Sequence, residues 1–302
     1  MKVVIAGATG FIGRSLVRHL SARGDAVVVL SRSGSVRPGI FQEGVRVVRW
    51  DGTRQGVWSG ELDGADAVVN LAGASIGGGR WTAARKELLI RSRTDPTNAL
   101  VQACLSAVRP PGVFLNASAV GYYHHEGDAP VTEQDPPGIG FLSDVAQQWE
   151  GAARGAASRG IRLVIARIGV VIGKGGGALE RMLLPFRLFV GGPLGSGKQW
   201  FPWVHVDDVV GAMVFMLDNV SMTGPVNVVA PEPVTMAAFS QRLGGALHRP
   251  SWLSVPAFAL RVLLGEMSVI ILGGRPVVPL KLLESGYGFL RPRLDQALRS
   301  AV

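Results

Sequence analysis

The sequence predicts an α/β protein, a Rossmann-type doubly wound parallel sheet with a smaller C-terminal region on the substrate side. Three observations carry that reading. Short β-branched runs alternate with helix-length stretches through the first half of the chain, the order of a parallel sheet with crossover helices. The runs lack polar alternation, so helices must cover both sheet faces. The first run feeds a glycine turn that opens a helix, as dinucleotide-binding units do.

In order along the chain, residues 3–6, 26–30, 45–49, 67–71, 113–117 and 161–166 read as six strands. Helices are expected at 12–22, 82–107 and 143–158, each with apolar residues at helical spacing. Beyond residue 168 the pattern turns irregular, with glycine loops at 173–177 and 191–197 around a helix near 178–190. A strand at 204–206 then enters a helix opened by Asp207 and Asp208, whose carboxylates suit a helix N-terminus. Residues 226–229 add a further strand, and Pro231 and Pro233 end that unit. The expected division is a dinucleotide-binding domain over 1–230, with substrate-side insertions at about 174–204, and a small C-terminal domain over 249–297.

Composition narrows the function classes. With 302 residues, 47% apolar and 18% charged, the chain can bury a full core and is not disordered. The net charge of +9 attracts phosphorylated ligands, but the basic residues are scattered and form no run of five, so nucleic acid is not an expected partner. A single cysteine, Cys104, forms no internal disulfide and fits a reducing, cytoplasmic setting. The opening apolar run at 3–6 is too short for a secretion signal. Residues 252–274 are apolar enough to suggest a membrane span until Pro256, Arg261 and Glu266 are marked inside them; a buried helical hairpin or an oligomer contact is expected instead.

The strongest motif is Gly7-Ala8-Thr9-Gly10-Phe11-Ile12-Gly13. In such a turn the first glycine permits the bend, the second lets the backbone approach a pyrophosphate, and the third lets helix and strand pack closely. The helix N–H groups then face the phosphate charge. Gly7, Thr9, Gly10, Phe11, Ile12 and Gly13 are therefore the candidate pyrophosphate contacts. About 20 residues on, where NAD enzymes carry an acid for the ribose hydroxyl, this chain has Ser31 and Arg32. A guanidinium there suits a 2′-phosphate, which makes NADP the expected cofactor, with Arg37 able to share the role. Asp51, after the third strand, is placed either to accept from an adenine amino group or to hold a turn.

Further segments carry a family likeness: NLAGASI (70–76), RWT (80–82), SRT (92–94), ASAVGYY (117–123), VTE (131–133), RIGVVIGKGGGAL (167–179), GGPLGSGKQWFPWVHVDD (191–208) and GEM (265–267). Together with the glycine turn they make the chain resemble the extended and atypical short-chain dehydrogenase/reductases, above all the NADP-binding, sugar-nucleotide-epimerase-like "epimerase family" proteins with a family-specific C-terminal domain. The resemblance implies that Leu71, Ala72 and Gly73 pass under the cofactor, that Arg93 reaches it from the long helix, and that Val171 lies near the nicotinamide. It also implies a small-molecule substrate of polar character, such as a nucleotide sugar, between the carboxyl edge of the sheet and residues 180–205. A homodimer is in view; a membrane is not.

The catalytic pair of that superfamily is missing. A Tyr four residues before a Lys normally supplies the proton, yet no Tyr-x-x-x-Lys occurs in this chain. The expected positions hold Phe141 or Leu142, then Val145 or Ala146. Ser118, at the end of the fifth strand, and Tyr122, in the loop after it, are the remaining catalytic candidates. His124 occupies a place where the family usually has glycine. His205 reads either as an acid–base or as a structural histidine, and Trp200 and Trp203 either as stacking platforms or as core. No paired metal-ligand spacing and no Gly-x-Ser-x-Gly elbow is present. The expectation is an NADP(H)-dependent, epimerase-like oxidoreductase; the rival is a non-catalytic NADPH-binding regulator.

Overall fold

The computed structural model describes residues 1–37, 39–123 and 127–302. His124 lies outside them. Strand β1 (Lys2–Ala6) leads through the glycine turn into α1 (Phe11–Ala22), followed by β2 (Ala26–Ser31), β3 (Arg46–Arg49), β4 (Ala67–Asn70) and the long α2 (Ala83–Ser106). Then come β5 (Val113–Ala119), α3 (Phe141–Ala153) and β6 (Arg162–Ile168). The substrate-side segment holds β7 (Val170–Ile172), α4 (Leu179–Arg187), β8 (Trp200–Phe201) and β9 (Trp203–His205). Helix α5 (Val206–Asp218) and β10 (Gly224–Val228) return to the main sheet. The remainder is β11 (Val234–Thr235), α6 (Met236–Leu247), α7 (Ala257–Leu264), α8 (Val269–Leu272), α9 (Leu280–Glu284) and α10 (Leu294–Ala301).

Seven strands form one sheet in the order β10-β6-β5-β4-β1-β2-β3, every pairing parallel. Strand β10 supplies the seventh strand beside β6. The apolar strands follow from the two-sided cover. Val3 and Ile5 of β1 enter a core with Leu16 and Leu20 of α1 and Val209 and Met213 of α5. Val4 and Ala6 enter the opposite core with Leu100 and Cys104 of α2. Each such side chain, fully buried, contributes about 1.5–3 kcal/mol, which sets the register firmly. Inside that second core, burial pushes the Cys104 thiol up to about 12, so it is inert as a nucleophile.

Several expected boundaries shift. Helix α3 starts two residues early, at Phe141, and gives way to a 3₁₀ segment over Arg154–Arg159. Val206 belongs to α5 rather than to the strand before it. The cap of α5 is the His205 ring, whose Nδ1 accepts the Asp207 N–H at 3.2 Å, while its Nε2 meets Ser300 Oγ at 3.2 Å. Of the two acids expected at that terminus, Asp208 is buried and takes the Leu290 and Arg291 N–H groups, fastening the C-terminal segment instead.

The apolar stretch 252–274 folds as short helices, and no helix among the described residues is long and apolar enough to cross a membrane. The buried hairpin expected there is not found. Phe258 and Val262 of α7 are 70% and 71% exposed. Backbone bonds hold this stretch down: Gly195 N–H donates to Val255 O at 2.9 Å, and Val131 pairs with Val277. The last helix, α10, packs Leu294 and Leu298 into a core with Trp203, Phe201 and Phe239.

Candidate functional site

The glycine turn behaves as its spacing requires. Gly7 has φ +78°, and a Cβ there would overlap the Leu71 carbonyl. A Cβ on Gly13 would come within 2.5 Å of Gly7 O and 2.6 Å of Ala8 Cα, so this glycine sets the close approach of helix to strand. Gly10 differs: its Cβ would meet only Gly7 O, at 3.3 Å, and its φ of −72° suits any residue. A side chain at position 10 would make one tight approach to the backbone and otherwise project into the open space over the turn. Helix α1 begins with no side-chain cap and no acid in its first turn, leaving a positive N-terminus beside Thr9 and Gly10. The Phe11 ring turns away under the glycine loop at 173–177, where a Cβ on Gly176 would lie 2.5 Å from it.

Parallel register brings the second element to the same edge. Ala6 pairs with Leu30, so Ser31 and Arg32 end level with the turn. Ser31 is buried and its Oγ lies 3.1 Å from Ser33 Oγ and donates to Ser35 O at 3.3 Å. Arg32 is exposed and makes no hydrogen bond or ion pair among the described residues. Asp51 Oδ1 accepts the Thr53 and Arg54 N–H groups at 2.8 and 3.0 Å, which holds its carboxyl below the ordinary range. Its carboxylate thus holds a turn.

At the end of β4, the Leu71 N–H donates to Ala6 O, and the Ala72 N–H donates to Asn70 Oδ1 at 3.1 Å. Asn70 is fully buried, and its amide donates to Thr97 Oγ1 and Asn116 Oδ1 at 2.8 and 2.7 Å. This network shapes the Leu71–Gly73 loop. Arg93 crosses beneath Gly73, donating to Leu89 O and Ala74 O at 2.9 and 3.0 Å, with its guanidinium 5.1 Å from the centre of the Trp149 ring. Burial brings its pKa down to about 10, and no carboxylate among the described residues pairs with it. It remains a cation at neutral pH without a counter-charge.

Beyond the turn a cavity of about 340 Å³ opens at the carboxyl edge of the sheet. Arg93, Ala119, Gly121, Ile168 and Val171 form its inner wall, and Trp200, Phe201, Ile270, Ile271 and Val277 its outer one. The walls are drawn together by glycines: a Cβ on Gly169 would overlap Pro202 O, and one on Gly274 would overlap Trp200 O. Leu142 and Ala146, four residues apart on α3, both line the cavity, whereas Phe141 packs edge-on to Trp81 at 4.9 Å. The places of the superfamily's Tyr and Lys are therefore apolar wall.

Ser118 and Tyr122 are not in that wall. Ser118 Oγ donates to Glu150 Oε1 at 2.7 Å. Glu150 is in turn gripped by Arg167 at 2.8 and 2.9 Å, both side chains being buried. Arg167 also donates to Tyr123 Oη at 2.7 Å, and its guanidinium stacks 3.4 Å from the centre of the Tyr122 ring. Tyr123 donates onward to Asn227 Oδ1, and burial pushes its phenol up to about 12. His205 caps α5, and Trp203 is core, its indole N–H donating to Glu232 O. Trp200 lines the cavity. No cluster of metal-ligating side chains exists among the described residues.

A parallel sheet whose first turn offers an uncapped helix N-terminus, with a cavity at the same edge, defines a dinucleotide-binding α/β protein. Residues 3–229 match the model of the NAD dependent epimerase/dehydratase family, and residues 255–301 match a domain of unknown function, DUF1731. The chain belongs to the NAD dependent epimerase/dehydratase family. It is 42% identical over 306 residues to the chloroplastic epimerase family protein SDR39U1 homolog of Arabidopsis thaliana, covering 99% of this chain and 86% of the relative. It is 37% identical to human epimerase family protein SDR39U1, with both chains covered in full. The crystal structure of the human protein (isoform 2) with NADPH matches at a TM-score of 0.90 and 36% identity, over 100% of this chain and 99% of that one. A UDP-glucuronic acid 4-epimerase from Bacillus cereus, in complex with NAD, matches at 0.80 with 17% identity over 100% and 95%, a likeness of fold alone.

Proposed function

We propose that this chain is an NADP(H)-dependent oxidoreductase of the epimerase family. The observation that carries the reading is the coincidence, at one sheet edge, of an uncapped α1 N-terminus above Gly10 and the unpaired Arg32 at the end of β2. The first receives a pyrophosphate and the second a 2′-phosphate. The human relative crystallised with NADPH supports the same cofactor. Ser31 lies beside Arg32 at the same edge, the Asp51 carboxylate is a candidate acceptor for an adenine amino proton, and the Leu71–Gly73 loop leads with Arg93 and Val171 toward the cavity.

Nicotinamide, when bound, supplies hydride chemistry. The chain's contribution is to hold it against the inner cavity wall and keep water from the outer one. The Tyr123 phenol in the wall is pushed up to about 12 and the Arg93 guanidinium keeps its protons, so the proton for any carbonyl reduction comes from water. Polarisation of a substrate oxygen falls to Arg93.

Titration of the purified protein with NADPH and NADH, followed by nicotinamide fluorescence at fixed salt, tests this. NADPH preference of at least about tenfold, near 1.4 kcal/mol, is expected in the wild type and is lost in Arg32→Ala. Binding of neither cofactor refutes the reading. A second reading, a non-catalytic NADPH-binding regulator, draws on the Ser118 hydroxyl being committed to Glu150 and on the missing Tyr–Lys pair. It predicts tight NADPH binding without turnover on any carbonyl substrate.

A further inference from the structure

We propose, building on the NADP(H) reading above, that the cavity takes a neutral, largely apolar aldehyde or ketone rather than a nucleotide sugar. The chemistry of its wall carries this. The described side chains lining it include no carboxylate, amide, imidazole or aliphatic hydroxyl. Five carry polar atoms; four of them are already engaged, and the fifth, the buried Trp149 indole N–H, has no partner among the described residues. Tyr123 Oη is held by Arg167 and Asn227, Trp200 Nε1 donates to Asp128 at 2.9 Å, Arg275 donates to Ala129 O at 3.1 Å, and Arg93 donates to two carbonyls.

A sugar hydroxyl is both donor and acceptor, and when buried it needs a partner for its proton. The described wall offers donors and aromatic faces, and its one side-chain acceptor, Tyr123 Oη, is already taken by Arg167. A carbonyl oxygen accepts only, and Arg93 is a donor that suits it. The rest of the surface, Leu142, Val145 and Trp149 from α3 opposite Phe201, Ile270 and Ile271, fits a ring system held by apolar contact.

Size points the same way. At about 340 Å³ the cavity lies near the lower end of the roughly 300–1,000 Å³ typical of ligand sites, and it must also admit the nicotinamide. A nicotinamide and a small ring system are enough to fill a cavity of that size. Two glycine approaches fix the outer wall, Gly169 against Pro202 and Gly274 against Trp200, so widening it requires backbone movement.

The test uses the full chain loaded with NADPH, with calorimetric titration of 2-acetonaphthone, a neutral bicyclic ketone, and of UDP-glucose. The ketone is expected to bind at least tenfold tighter than UDP-glucose. Ile271→Asn, which places an amide on a half-buried outer-wall position, is expected to weaken the ketone at least fivefold, and Ile271→Leu to leave it within twofold. NADPH affinity, measured on the same samples, is expected to be equal in all three proteins, showing that they are folded. UDP-glucose binding as tightly as the ketone overturns the inference. So does ketone affinity unchanged in Ile271→Asn, which places that binding elsewhere on the surface. NADPH binding with no ketone binding overturns this inference alone. Failure of NADPH to bind overturns the cofactor reading and this one with it.

Discussion

Ser118 Oγ donates its proton to Glu150 Oε1 at 2.7 Å, and the same carboxylate is clamped by both Nε and Nη2 of Arg167. A hydroxyl at the end of β5, where the superfamily orients its substrate, is here one member of a buried charged network joining β5, α3 and β6.

That network sets the first prediction. Glu150→Gln leaves the Arg167 guanidinium buried without its charge partner, a loss of about 3–5 kcal/mol. Ser118→Ala removes only one of the carboxylate's bonds and is expected to cost about 1–3 kcal/mol. Urea denaturation of the three proteins checks the order. Equal stability of wild type and Glu150→Gln would contradict the network.

Gly10 and Gly13 should separate binding from folding. A Cβ at Gly13 enters backbone atoms, so Gly13→Val is expected to unfold or severely destabilise the chain. Gly10→Val faces open space, apart from a 3.3 Å approach to Gly7 O, and should keep nearly all of the stability while abolishing NADPH binding. Thermal melting and fluorescence titration of the pair read the two effects independently. Wild-type affinity in Gly10→Val would remove the pyrophosphate from this turn.

Arg93 is a buried cation with no acid against it among the described residues, which costs the empty protein stability and favours a bound group that brings it an acceptor oxygen. Arg93→Met is expected to leave the melting temperature of the apo protein unchanged or raised and to weaken NADPH at least tenfold. A lowered melting temperature with undiminished affinity would make Arg93 a structural residue only.

His205 gives the pH dependence. Burial, aided by the positive charge of Arg291, lowers its pKa below the ordinary 6.5, against the opposing pull of Asp207. The unfolded chain therefore takes up a proton first as pH falls. Stability is full above about pH 6.5 and declines below it until the folded protein protonates too. The protonated ring also loses the lone pair that accepts the Asp207 N–H. Melting temperatures at pH 7.5 and 5.5 should show the drop, and in His205→Asn, which keeps a capping oxygen, a smaller one.

The sheet was legible because its inner strands are buried on both faces, which leaves apolar runs that no surface strand needs; the edge strand β3 is only half-buried. The glycine turn was legible because backbone geometry leaves little choice of residue there. The Asn70–Thr97–Asn116 network and the Glu150–Arg167 pair were not singled out, although each has a signal: an amide closing an apolar strand in AVVN and VFLN, and an arginine inside VIARIGVVI. Reading them as bonded to one another requires knowing which strands are neighbours, and β4, β5 and β6 become neighbours only after long crossovers. The identity of the cavity wall was hidden for the same reason, since Leu142, Ile168, Trp200 and Ile271 come from four separate segments. Of the two readings of 252–274, the buried hairpin failed because apolar content alone does not say which side of a short helix meets the protein.

Gly176 has an ordinary backbone conformation and is barred from carrying a side chain by the Phe11 ring. The two positions are thus historically ordered. While a large aromatic occupies position 11, a side chain at 176 must displace its ring, and trimming the ring first removes that obstacle. Gly177, whose φ of +78° disfavours L-residues by itself, gains no such freedom. Among descendants of this sequence, variation at 176 should appear mainly where Phe11 has already been lost.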